Sequence, residues 1–259
     1  VTSLALSDAA AFAGELADAA RPIIAQYFRT GVVVDIKADD SPVTIADRTV
    51  ERKLRDMIEA RFPDHGIAGE EFGVKAPDAE YVWSLDPIDG TKAFITGRPT
   101  FGTLIGLLHR GVPVLGVIDC PILDERWVGG PELATTFSGG PLMPSVSKPL
   151  DRAVMTATSP DMFDSAETPK FEALKAAVGL TLFSGDCHNQ GLLALGTIDL
   201  VVESDLSDYD YLAPAAVVAG AGGLLTDWAG NPVTLGSTPR ILAARDPALH
   251  AAALAILSA

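Results

Sequence analysis

Cysteine is nearly missing from this chain: there are 2 in 259 residues, Cys120 and Cys187, and no CxxC spacing. A disulfide scaffold or a thiolate zinc site cannot be built from that, so the expectation is two reduced, buried thiols in a reducing compartment. Positive charge is scarce too. Lys and Arg number 19 against 34 Asp and Glu, for a net charge of −15. So acidic a surface repels phosphodiester backbones and anionic lipid, which argues against nucleic-acid and membrane partners. The 4 histidines, His65, His109, His188 and His250, lack HExxH spacing, and imidazole-based zinc chemistry is not expected. No run of about 18 uncharged apolar residues exists to cross a membrane as a helix. Residues 1–28 are Ala-rich, but they lack a basic start and Asp8, Glu15 and Asp18 interrupt the apolar run. A secretory signal is therefore not expected, and the cytoplasm is. Walker, GxGxxG and GxSxG patterns are all absent, and Gly220-Ala221-Gly222-Gly223 reads as a close helix-to-strand turn.

What is present suits a folded globular protein of ordinary size. Apolar residues make up 48% and charged residues 20% of the chain, enough for a sizeable core in one domain with two lobes. Leu4, Ala11, Leu16, Ala20, Ile23, Ile24 and Phe28 recur at helical spacing, with Ser7 and Asp8 as expected caps. After Ser41-Pro42-Val43-Thr44 a second helix shows an apolar face of Val50, Leu54, Met57 and Ile58. Its opposite face, Glu51, Arg52, Lys53, Arg55 and Asp56, reads as solvated. Residues 31–40 read as a connection between the two. Strands are expected over 81–85, 101–108 and 112–118, the last two as an antiparallel hairpin around Arg110-Gly111. Residues 129–149 are rich in Gly, Pro and Ser and show no period, which places a lobe boundary there, with lobes 1–140 and 141–259. Beyond it helices and strands alternate to the end. The hairpin makes the sheets mixed, so a layered α/β or α+β sandwich is expected rather than a purely parallel fold. Trp83, Trp127 and Trp228 fall in or beside strands and read as core.

The acids carry the functional signal. Glu70 and Glu71 follow Gly69 in a turn-like segment, Asp86 and Asp89 flank Pro87-Ile88 directly after a strand, and Asp210 precedes an apolar helix. Carboxylates at strand ends and helix starts are what a hard cation requires. In Asp86-Pro87-Ile88-Asp89-Gly90-Thr91 the proline constrains the turn, so that Asp86, the Ile88 carbonyl and Asp89 can face one point. Gly90 and Thr91 then open a helical turn whose free N–H groups can hold an anionic oxygen. Taken singly, Glu70 reads equally well as a solvated loop acid and Asp210 as a helix cap.

Taken together these segments resemble the inositol monophosphatase family of Mg²⁺-dependent phosphatases. The resemblance rests on four motifs in family order: Ser41-Pro42-Val43-Thr44-Ile45-Ala46-Asp47, Gly69-Glu70-Glu71, Trp83-Ser84-Leu85-Asp86-Pro87-Ile88-Asp89-Gly90-Thr91, and Asp210 with 219–223. Segments 92–105, 122–127 and 208–212 are similar to the branch that acts on histidinol phosphate; Tyr209 stands where the wider family commonly has Trp. The resemblance implies an αβαβα layered fold and two or three Mg²⁺ ions per subunit, with Mn²⁺ as a substitute. Glu70, Asp86 and the Ile88 carbonyl would hold one ion, Asp86, Asp89 and Asp210 a second, and a third would sit near Glu70. Asp47 and Thr91 match the pair that orients the attacking water, with Glu70 among the catalytic residues, and Gly90 and Thr91 would donate N–H groups to the phosphate. Asp186 and Glu203 match positions that meet the organic part of the substrate, and a homodimer is implied, the hairpin over 101–118 and the segment after it being candidate contributors.

The implied reaction is hydrolysis of a small phosphate monoester by a metal-activated water, with L-histidinol phosphate first. Inositol 1-phosphate and a 3′(2′),5′-bisphosphate nucleotide are alternatives, and a non-catalytic metal- or protein-binding relative is a reading of another class. With no run of Lys or Arg near the motifs, an acidic chain must borrow positive charge from divalent ions to bind a phosphate. Lys37 is the one basic residue beside the first motif; screening of the site and a solvated loop position are both open for it. For His188 a substrate wall and a structural role are both open.

Overall fold

The helical spacing near the start becomes α1 (Leu6–Tyr27), in which Ala9, Ala13, Ala17 and Ala20 permit close packing and Phe12, Leu16 and Ile24 fill the intervening space. The expected caps do not act as such. Ala5 precedes the helix without a side-chain bond, Asp8 lies in its first turn, where its charge meets the positive end of the helix dipole, and Ala11 turns outward. In the computed structural model, residues 4–36, 42–143, 146 and 148–259 are described. Lys37 and Ser41 lie outside them.

Part of the expected connection 31–40 is β1 (Val34–Ile36), paired antiparallel with β2 (Pro42–Thr44). Next comes α2 (Ile45–Arg61), started by the Thr44 hydroxyl and a capping box closed by Asp47. Val50, Leu54 and Ile58 are buried as the spacing predicts, but Glu51 is fully buried with them rather than solvated.

An eight-stranded sheet follows, built from β3 (Gly66–Gly69), β4 (Gly73–Lys75), β5 (Tyr81–Asp89), β6 (Gly102–His109), β7 (Val112–Cys120), β8 (Glu125–Gly130), β9 (Leu133–Phe137) and β10 (Gly140–Pro141). Its order is β10-β9-β8-β7-β6-β5-β3-β4, and α3 (Thr91–Ile95) leaves the end of β5. The β6–β7 hairpin turns on Arg110 and Gly111, with φ of 53° and 82°. Positive φ at both centres is what a tight hairpin needs to match strand twist. Part of the stretch 129–149 therefore belongs to this sheet. Its strands β9 and β10 were hidden in the sequence because they are short, rich in Thr and Gly, and without apolar alternation.

The second sheet has five strands in the order β12-β11-β13-β15-β14: β11 (Val154–Ala157), β12 (Leu180–Phe183), β13 (Leu200–Glu203), β14 (Leu224–Thr226) and β15 (Ile241–Ala244). β11 runs parallel to both of its neighbours, and the remaining pairs are antiparallel. The helices are α4 (Thr168–Ala177), α5 (His188–Leu195), α6 (Asp208–Gly220) and α7 (Pro247–Leu257).

The buried clusters give the layering. Residues of α1 and α2 pack on Trp83, Leu85, Ile105 and Val117 from one face of the first sheet. Leu193 of α5 and Tyr211 and Leu212 of α6 lie between the two sheets, with Val82 and Leu108 on one side and Val201 and Ala243 on the other. Phe171 and Leu249, from α4 and α7, cover the far face of the second sheet. That is an αβαβα sandwich, as expected. A Cβ on Gly116 would lie 2.1 Å from the carbonyl oxygen of Ala213, so α6 rests almost on the backbone of β7. The strands of the β6–β7 hairpin are buried apart from the end near its turn.

Candidate active site

In a regular strand, residues three apart point to opposite faces. Asp86 and Asp89 of β5 do not, because the pairing register shifts between them: Asp86 lies opposite Leu104 and Asp89 opposite Gly102. Pro87 cannot donate to the ladder, and the extra residue forms a bulge that restores the parity of the two acids. The Asp86 carboxylate accepts from the Ile88 N–H at 3.0 Å, and the Thr103 hydroxyl donates to the Pro87 carbonyl at 2.8 Å. Both bonds hold the bulge in shape.

Asp210 joins the pair from α6. It is the third helical residue rather than the cap; Ser207 caps, and its N–H donates to Asp210 Oδ2 at 2.7 Å. Oxygens of Asp86, Asp89 and Asp210 lie within 4.8 Å of one another. Burial pushes all three carboxyls up. For Asp86 the charges of Glu70, Asp89 and Asp210 add to this, and for Asp89 those of Asp186 and Asp210 do. Asp210 is raised to about 7, burial being the main cause.

A second group comprises Asp47, Glu70 and Glu71, also with oxygens within 4.8 Å. Asp47 Oδ2 accepts from Thr44 N–H and O–H at 2.8 and 2.6 Å, while its buried Oδ1 has no partner. The turn carrying Glu70 and Glu71 is held from below by Glu51, which the sequence reading placed on a solvated face. Its carboxylate accepts from the N–H groups of Glu71 at 2.7 Å and Phe72 at 3.2 Å, and pairs with Arg55 at 2.7 Å. The only hint of this in the sequence was the i, i+4 spacing to Arg55.

Like-charged carboxylates crowded in low dielectric repel one another unless protons or cations intervene. Two groups of hard oxygen donors, one with an orphaned buried oxygen, fit divalent ions such as Mg²⁺. Thr91 opens α3, and its hydroxyl donates to the Ile88 carbonyl at 3.2 Å. Gly90 has φ of +86°, and a Cβ there would lie 2.7 Å from Cγ of Asp186. Asp186 thus lies directly against the start of α3.

The carboxyl ends of β11, β12 and β13 carry residues that, with α3 and the loop after it, enclose a cavity of about 520 Å³. Ligands commonly bind at such strand ends in α/β sheets. Asp186 lines this cavity and is raised to about 6 by burial, against the opposing charges of Arg98 and Lys92. Its turn is unusual: Ser184, Gly185 and Asp186 have φ of 79°, 122° and 46°. Glu203 is buried beneath, raised to about 7 by burial, and both oxygens are engaged, by Thr158 at 2.6 Å and Gln190 at 2.8 Å. The two acids expected to meet the substrate therefore differ: Asp186 lines the cavity, whereas Glu203 is occupied by neutral donors. Lys92 and Arg98, which form no run in the sequence, both line this cavity, as do Asp161 and Asp205. His188 pairs with Glu125 at 2.7 Å and meets Trp127 edge-on, a packing role away from the cavity lining.

Compared with known proteins, residues 5–259 match the profile of the Inositol monophosphatase family. The chain is 42% identical over 254 residues to "Bifunctional phosphatase IMPL2, chloroplastic" of Arabidopsis thaliana, covering 95% of this chain and 73% of that protein. It is 35% identical over 199 residues to a histidinol-phosphatase of Mycobacterium tuberculosis, covering 74% of this chain and 76% of that one. Its fold superposes on an inositol monophosphatase from Zymomonas mobilis with a TM-score of 0.89 and 43% identity, over 99% of this chain and all of that one.

Proposed function

The chain belongs to the inositol monophosphatase family and is a phosphatase of small phosphorylated substrates, and from that premise we propose that it hydrolyses L-histidinol phosphate to L-histidinol and phosphate. The observation that carries this choice is Asp186, an acid lining the cavity whose charge acts on Asp89 of the first carboxylate group. A primary ammonium in the substrate has a partner there, whereas a polyol needs only neutral hydrogen-bond groups. Relatives named histidinol-phosphatase, at 34% and 35% identity, support the same choice.

In this reading Glu70, Asp86 and the Ile88 carbonyl would hold one Mg²⁺, Asp86, Asp89 and Asp210 would hold a second, and a third would sit near Glu70, where Asp47 and Glu71 complete the other carboxylate group. When bound, such ions lower the pKa of water, polarise the phosphoryl group and stabilise the leaving alkoxide. The chain's own residues do the rest. Thr44 fixes the Asp47 carboxylate so that Oδ1 stays open to accept a proton from the attacking water. Thr91, donating to Ile88, keeps its oxygen lone pairs available to the same water. The N–H groups of Gly90 and Thr91 take a phosphoryl oxygen. A homodimer in the cytoplasm completes the proposal on family resemblance; among the described residues no helix is long and apolar enough to cross a membrane.

The rival reading is inositol 1-phosphate, favoured by the likeness to the Zymomonas mobilis structure. Phosphate release should be measured with histidinol phosphate, inositol 1-phosphate, adenosine 3′,5′-bisphosphate and glycerol phosphate, for the protein and for Asp186→Asn. We expect histidinol phosphate to have the highest kcat/KM, and Asp186→Asn to raise KM for it far more than for glycerol phosphate. Highest kcat/KM on inositol 1-phosphate, or equal losses on both esters, overturns the assignment.

A further inference from the structure

Several of the chain's cations are committed. Arg21 and Arg126 pair with Asp119, Lys148 and Arg245 with Asp199, and Arg240 with Glu167. Lys92 and Arg98 form no ion pair with a described residue, and both line the 520 Å³ cavity, together with Asp161, Asp186 and Asp205. The guanidinium of Arg98 donates to Ser184 Oγ at 3.3 Å, across the cavity mouth, and both charges act on Asp186. With a net charge of −15, the chain as a whole repels an arriving dianion, and exposed cations at the cavity, Lys92 and Arg98, offset that repulsion locally.

We propose that Lys92 and Arg98 form an anion-recognising wall of the substrate cavity, binding phosphoryl oxygens of the incoming monoester and of inorganic phosphate before release. The acidic groups would take the metal ions, and Lys92 and Arg98 reach toward them through Asp186, which feels both cations, acts on Asp89 and lies against Gly90 at the start of α3. Asp161, Asp186 and Asp205 on the same cavity offer the opposite charge to a cationic organic part, so the lining carries partners for both charges of a zwitterionic monoester. The proposal rests on the phosphatase reading but not on histidinol phosphate being the substrate.

Its test uses Lys92→Gln, Arg98→Gln, the double variant, and Lys92→Arg and Arg98→Lys. p-Nitrophenyl phosphate turnover is measured across a range of salt, and inorganic phosphate is titrated into the Mg²⁺-supplied protein by calorimetry. Each single Gln variant should raise KM and the phosphate Kd by about tenfold, with the double variant weaker still. The kcat should stay within about twofold. Salt dependence of kcat/KM should flatten in the double variant, and the charge-retaining variants should recover most of the binding. An unchanged phosphate Kd in the double variant overturns the proposal, as does a fall in kcat with Kd unchanged. If no ester is turned over, the phosphatase reading fails instead, and calorimetry still decides the role of the two cations.

Discussion

The backbone N–H of Cys187, at the start of α5, donates to Oδ2 of Asp89, at the end of β5, at 2.6 Å. A carboxylate of the first sheet is thereby oriented by a peptide group from between the second-sheet strands. Neither residue can shift without disturbing the Asp86, Asp89 and Asp210 group.

Asp89→Asn keeps an oxygen for the Cys187 N–H but removes one charge from the cluster. The expected outcome is a loss of several orders of magnitude in kcat with an unchanged circular dichroism spectrum. In chelator the variant should melt slightly above the parent protein, since one source of repulsion is gone. Near-normal turnover would place the site elsewhere.

Stability without divalent ions should depend on pH in a defined direction. Asp186, Asp210 and Glu203 are raised to about 6, 7 and 7 in the folded chain, above the roughly 4 of an unfolded carboxyl. Groups raised on folding contribute stability that is fully present below the unfolded value and is lost as pH rises through the folded one. In chelator, Tm should therefore fall by several degrees between about pH 5 and 8. Added Mg²⁺ should restore more at the upper end, where the carboxylates are free of protons. A melting temperature in chelator that stays level across this range would contradict the picture.

Glu51→Gln replaces an acceptor of two peptide N–H groups by an amide that confronts one of them with its own donors. Urea unfolding should show a loss of about 2–3 kcal/mol, and Mg²⁺ affinity should fall because the turn bearing Glu70 loosens. A change below about 0.5 kcal/mol would mean that the turn is held by other contacts.

Gly116→Ala tests how closely α6 sits on the sheet. The new methyl would lie 2.1 Å from the Ala213 carbonyl oxygen, so α6 must move or β7 must bend. Overpacking of this kind costs about 1–3 kcal/mol. Because α6 carries Asp210, calorimetry should record a lowered Tm together with a lowered kcat. A stable variant with full activity would show that the layers can separate freely.

Much of this molecule is written locally. The period of Val50, Leu54 and Ile58, the capping Thr44 with Asp47, and the two-residue turn at Arg110-Gly111 act over a few residues, and a linear reading finds them. The acids Glu70, Asp86, Asp89 and Asp210 were also visible, because carboxylates beside Gly and Pro at element ends are out of place on a solvated helix face. The sequence placed Pro87 in a turn after a strand ending at residue 85, whereas β5 runs on to Asp89 and the proline sits in its bulge.

Other features depend on partners distant in the chain, and only the folded arrangement decides them. Glu51 looks solvated until the Glu70–Glu71 turn lies over it and brings two N–H groups that must be satisfied. Glu203 and Asp186 look equivalent until Thr158 and Gln190 close around one and leave the other lining the cavity. Lys92 and Arg98 are isolated cations in the sequence and become a pair when α3 and its following loop face the ends of β11, β12 and β13. Sequence determined the layers and the donor atoms through periodicity, backbone restriction and charge type. Burial and hydrogen-bond satisfaction, which depend on what other segments bring within about 3 Å, decided which of those charges are left to meet a ligand.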